Sequence, residues 1–191
     1  MINTTYRLLL TFNATSLLVI IFFVQKAYTL GHFFPNSPHL VGMPNYVSYI
    51  SYLAVPILLT GLSIRLSSLL GMEDFKPNEI SSIEHANNSF LPSYLGYFFV
   101  ALSVGNWETL CFVYGVLFVF TFLSQALYFN PLFLLFGFEF YNITTKSGTS
   151  IFLISRYKYK KPDEVDVPVA NRINNYTFIE RGGNGSRFGK S

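Results

Sequence analysis

The chain has 191 residues, of which 51% are hydrophobic and only 12% charged, with 21 Phe and 13 Tyr. A water-soluble domain of that size could not bury so much apolar surface, because small domains leave a large share of their chain area wet. That excludes an ordinary soluble globule and predicts lipid as part of the solvent; the formal charge of +3 is also too weak for the whole chain to bind nucleic acid directly.

A span across hydrocarbon needs about 20 mostly apolar residues at about 1.5 Å each. Four segments meet that test: residues 8–24, ending near Gln25 and Lys26; 46–64, closed by Arg65; 90–104; and 107–128, with Asn130-Pro131 as the stop signal. The third is short and must borrow length at its ends. Gly105-Asn106 is a tight turn that makes the last two a helical hairpin. The predicted fold is therefore membrane α-helical. Four transmembrane helices fill residues 1–130, a small C-terminal cytoplasmic β-sheet domain fills 131–181, and a disordered tail covers 182–191. Arg7 before the apolar run superficially fits a signal peptide, but the run is long and no small-x-small site follows, so it reads as an uncleaved first helix.

Inside the spans, Thr11, Asn13, Thr15 and Ser16 are expected to bridge neighbouring helices rather than to line an ion path. Pro56 is expected to kink the second span. Glu108 stands beside Trp107, an ordinary interfacial anchor. Cys111 is the single cysteine, read as a small buried hydrophobe. With both termini cytoplasmic, twelve of the thirteen Lys and Arg lie inside and only Lys26 outside, as the bias of basic residues toward the cytoplasm requires.

The outer loop carries His32 and His39, a weak metal pattern without nearby carboxylate or thiol. The inner loop, with Pro77 followed by Ile80 and Ile83, predicts a short amphipathic helix on the membrane surface, and His85 there has no visible partner. After Pro131 the period changes to two. Phe136, Phe138 and Phe140 alternate with Gly137, Glu139 and Tyr141, Lys146-Ser147-Gly148 is a turn, and 151–154 is the returning strand. Pro162-Asp163-Glu164 turns the chain again, Val165, Val167 and Val169 alternate, and 176–179 is a further strand.

Arg156, Lys158, Lys160 and Lys161 alternate with Tyr157 and Tyr159. Three readings fit this stretch equally: a solvated strand edge, adhesion to anionic membrane lipid, and docking of an acidic partner. Gly189-Lys190-Ser191 ends like a phosphate-binding loop, but Asn184 stands where its first glycine belongs. No nucleophile lies beside a base and no His-carboxylate cluster occurs, so neither catalysis nor a cofactor is expected. An oligomeric channel or transporter is the alternative to a scaffold, with the polar residues of the first span along a shared axis.

The stretch from Phe136 to Arg156 (FGFEFYNITTKSGTSIFLISR), followed by 171–180 (NRINNYTFIE), resembles KwaA, the membrane-subunit family of the bacterial Kiwa anti-phage system. The resemblance extends to length and span plan. It implies a sensor in the bacterial inner membrane that assembles as a homo-oligomer, a tetramer. It also implies work with a soluble, cytoplasmic DNA-binding effector, KwaB. It assigns no role to any particular residue.

Overall fold

A computed structural model describes residues 2–88, 91–124 and 130–181; the predicted tail and the end of the fourth span lie outside them. Four helices form the bundle: α1 (Ile2–Gln25), α4 (Asn45–Leu66), α5 (Leu91–Ser103) and α6 (Trp107–Ser124). Between the first two, the short helices α2 (Leu30–Phe33) and α3 (Pro38–Val41) cap one end. Side-chain bonds set the directions. Tyr6 OH donates to the Ser63 carbonyl at 3.0 Å and Tyr52 OH to the Tyr28 carbonyl at 3.1 Å, so α1 and α4 are antiparallel. Arg7 Nη2 donates to the Phe122 carbonyl at 3.1 Å, while Leu110 packs with Leu18 and Phe22, so α6 returns along the whole of α1.

The third helix differs from expectation. Tyr94 OH donates to the Ala14 carbonyl (3.4 Å) and Gln25 Nε2 to the Leu102 carbonyl (2.7 Å), so α5 accompanies only the second half of α1. Its 13 residues extend about 20 Å. Three helical stretches, Thr4–Gln25, Asn45–Leu69 and Trp107–Ser124, are long and apolar enough to cross a membrane. The second runs through Pro56 without interruption.

The sheet has six strands in the order β1-β5-β6-β4-β3-β2. They are β1 (Met72–Phe75), β2 (Ile80–His85), β3 (Glu139–Thr145), β4 (Ser150–Ser155), β5 (Val167–Arg172) and β6 (Thr177–Glu180). The sheet is thus not confined to the C-terminal segment. The loop read as a surface helix supplies both edge strands. The misreading has a physical cause: Ile80 and Ile83 share a face at helical spacing because Ser81 is an extra residue in the β2–β3 ladder, where Ile80 pairs with Thr145 and Ser82 with Thr144. Such a bulge shifts the side-chain alternation by one. A second irregularity sits opposite β1, where Glu73 pairs with Ala170 and Phe75 with Val167. Val165 and Val167 are therefore buried but Val169 is exposed, against the expected alternation; Pro168 in the bulge has no N–H to offer a ladder.

Strands β1 and β2 lie at opposite edges, yet only Lys76–Glu79 connects them, and part of that is a 3-10 turn. Five extended residue steps reach at most about 18 Å, whereas the edges of a flat six-stranded sheet are about 24 Å apart. The sheet must curl, and it does so around two cores. On one face Phe138, Phe140, Ile154 and Ile179 pack with Tyr6 and Leu10 of α1, Ile64 of α4 and Phe133 of α7 (Leu132–Leu135). On the other face Tyr141, Ile143, Leu153 and Phe178 are covered by residues 156–166, which contribute Tyr157, Tyr159 and Val165. The basic stretch belongs to this strap and is not a strand edge.

Candidate functional site, an arginine-lined groove where helix meets sheet

Parallel pairing of β4 with β6 places Ser155 beside Glu180, so the residues that leave these strands, Arg156 and Arg181, emerge side by side. Arg65 is the basic residue in the last turn of α4, where a cation also suits the helix dipole. All three line one groove of about 950 Å³, whose apolar wall includes Ile57, Leu58 and Leu62 of α4 and Phe136. The groove lining contains no Asp or Glu among the described residues. The Arg156 guanidinium lies over the Phe138 ring, 4.7 Å from its centroid, a cation–π contact that fixes its direction.

The predicted basic stretch does not stay together. Arg156 turns to the groove. Lys158 pairs with Glu139 Oε1 at 3.4 Å. Lys160 and Lys161 are exposed at the far end of the strap, where the Lys160 backbone N–H donates to Glu164 Oε2 at 2.9 Å. Arg65 and Arg181 escaped the sequence reading, because only strand register and helix packing bring them to Arg156.

Glu139 organises the neighbouring edge of the sheet. Tyr141 OH donates to its Oε2 at 2.9 Å, and His85 Nε2 lies 3.2 Å from the same oxygen, so His85 does have a partner. Burial alone would raise the Glu139 carboxyl; the bonds from Tyr141, His85 and Lys158 together outweigh it and hold the group below the ordinary carboxylate range. Burial pushes the Tyr141 hydroxyl up to about 12, with the Glu139 charge adding to it against the Tyr159 backbone N–H. It therefore stays a proton donor at neutral pH. Tyr141 OH also lies 3.1 Å from both the Tyr157 carbonyl and the Tyr159 N–H, tying the strap to the sheet.

Inside the bundle, the Asn13 side chain is 2.6 Å from Thr60 Oγ1, and Asn130 Nδ2 donates to that hydroxyl oxygen at 3.2 Å. With the Asn13 nitrogen donating to the Pro56 carbonyl at 3.1 Å, its oxygen also accepts from Asn130 Nδ2 at 2.9 Å. Thr15 reaches Tyr114 OH at 3.3 Å. Thr11, Asn13, Thr15 and Ser16 thus face the interior of the single chain, all four buried; Asn13 and Thr15 bridge helices as expected, whereas the Thr11 and Ser16 hydroxyls donate to the Arg7 and Asn13 carbonyls of their own helix. At the opposite end His32 stacks on Tyr28, centroids 4.6 Å apart, and Tyr28 stacks on Trp107 at 5.7 Å. Cys111 is exposed, contrary to the reading as a buried hydrophobe.

No curated protein and no solved structure matches the chain at a significant level. The sequence does match the family model of anti-phage protein KwaA over residues 6–179, which takes in the helices from Tyr6 onward, almost the whole sheet, Arg65 and Arg156. With well over half of its length matched, the chain belongs to the KwaA family of anti-phage proteins.

Proposed function

We propose that this protein is a non-catalytic, membrane-embedded sensor and scaffold of anti-phage defence, which recruits a cytoplasmic DNA-binding effector through its sheet. One observation carries the reading: Tyr6 and Leu10 of α1 and Ile64 of α4 share a core with Phe140, Ile154 and Ile179 of the sheet. A close-packed core does not deform gradually, so displacement of the helices by a disturbed bilayer reaches the sheet. Three apolar helical stretches of spanning length support placement in a membrane. The excess of Lys and Arg on the sheet side supports a cytoplasmic sheet in the bacterial inner membrane.

The surface offered to the effector is the strap, whose exposed Lys160 and Lys161 touch nothing in the groove. Charge reversal of both, Lys160→Glu with Lys161→Glu, should reduce effector co-purification at least about tenfold while leaving membrane insertion intact. Undiminished recovery of the effector would refute docking at this surface. An oligomeric channel, the other reading, relied on Thr11, Asn13, Thr15 and Ser16; their burial inside one chain favours the scaffold.

A further inference from the structure

We infer that the groove between α4 and the sheet is a binding site for one anionic phospholipid, with its phosphate held by Arg65, Arg156 and Arg181 and an acyl chain laid along α4. The inference rests on placement of the helices in a bilayer. The exposed face of α4 that runs into the groove is apolar: Val55, Leu58 and Leu62 are all exposed, Leu58 to 72%. With Arg65 they follow one another at steps of three and four residues, which keeps them on one side of the helix. From Tyr46 to Arg65 the helix rises about 28 Å, close to the roughly 30 Å thickness of bilayer hydrocarbon. Tyr46 then lies at one interface, where aromatic rings are favoured, and Arg65 lies at headgroup depth on the side of the sheet.

The charge pattern selects the occupant. Three guanidinium groups from three different elements meet without a carboxylate in the lining. Among the described residues none of them belongs to an ion pair. Guanidinium forks match phosphate oxygens in geometry as well as in charge. A second copy of the chain presenting the same face would set arginine against arginine. A soluble phosphate would leave the apolar wall of Leu58 and Leu62 uncovered. A phospholipid satisfies both parts of the groove, and the shared core beside it makes headgroup occupancy a means for the bilayer to bear on the sheet.

The test uses the full chain in detergent, titrated with phosphatidylglycerol or phosphatidylcholine and read by native mass spectrometry. The wild type should retain phosphatidylglycerol in preference, and Arg65→Gln and Arg156→Gln should each weaken it about fivefold. Leu62→Trp, which fills the acyl path and leaves every arginine in place, should weaken it too. Lys160→Gln with Lys161→Gln should change nothing. Equal retention of the two lipids, or competition by glycerophosphoglycerol as effective as by the lipid, would overturn the inference. So would a disulfide joining two copies through Leu62→Cys, in a Cys111→Ala background, in place of lipid binding. Carbonate extraction separates the two levels of failure: release of the wild type from membranes refutes membrane placement itself, whereas retention with no lipid preference refutes only this site.

Discussion

Glu139 links three pieces of chain: His85 on the edge strand β2, Tyr141 on its own strand and Lys158 on the strap. Its carboxyl is held below the ordinary range, so the native state binds the proton less tightly than the unfolded chain. The stability this supplies is fully present above the unfolded carboxyl value of about 4.3 and fades as pH falls through the lower native value. Glu139→Gln should therefore cost about 1 kcal/mol at pH 7. The gap to wild type in detergent thermal unfolding should close below about pH 4; a gap of equal size at both pH values would refute the role given to the charge. None of this was legible from spacing, because Glu139 and His85 stand far apart in sequence and meet only by pairing of β2 with β3. Asn13 is the contrary case. A lone amide in an apolar span must find a partner, and its partners, Thr60 and Asn130, follow from the packing of α4 and the chain after α6 against α1.

At the scale of elements, β3, β4 and β6 are legible after Pro131 because they pair without interruption of register, β3 with an alternating sequence and β4 and β6 as short apolar runs buried on both faces. The sequence pattern failed where bulges occur. A single extra residue in β2 turns a strand into something with helical spacing, and the same event in β5 sends Val169 outward. The β3–β4 turn was legible for a chemical reason. Gly148 has φ +84 and its N–H donates to the Thr145 carbonyl at 2.9 Å, a left-handed position that an L side chain occupies at a cost of about 1–2 kcal/mol. No atom lies within 4 Å of a Cβ built there, so that cost is purely one of backbone. Gly148→Val should lower stability by that amount and Gly148→Asn by clearly less, measured by the same unfolding assay. Equal losses would mean that packing, not φ, decides this turn.

For the molecule as a whole, the sheet constrains how often the chain crosses a membrane. Strands β2 and β3 pair directly, yet α5 and α6 lie between them in sequence. Whichever side holds the sheet, the chain must be back on that side when it reaches β3, so α5 and α6 cross together or not at all. The same parity binds α1 to α4, because the start of one and the end of the other sit in the core of the sheet. At 18 residues, or about 27 Å, α6 has the length to cross, and α5 must then match it although its own helix reaches only about 20 Å. Cys111 is the sole cysteine, so Cys111→Ala provides a background for labelling. In whole cells, Asn106→Cys should react with an impermeant maleimide, whereas Ser81→Cys and Lys161→Cys should react only after permeabilisation. Protection of Asn106→Cys from outside would reduce the crossings to α1 and α4. The arginine groove would still sit at the end of α4 in that case, because its depth is set by that helix alone, and only the bundle beside it would have to leave the bilayer.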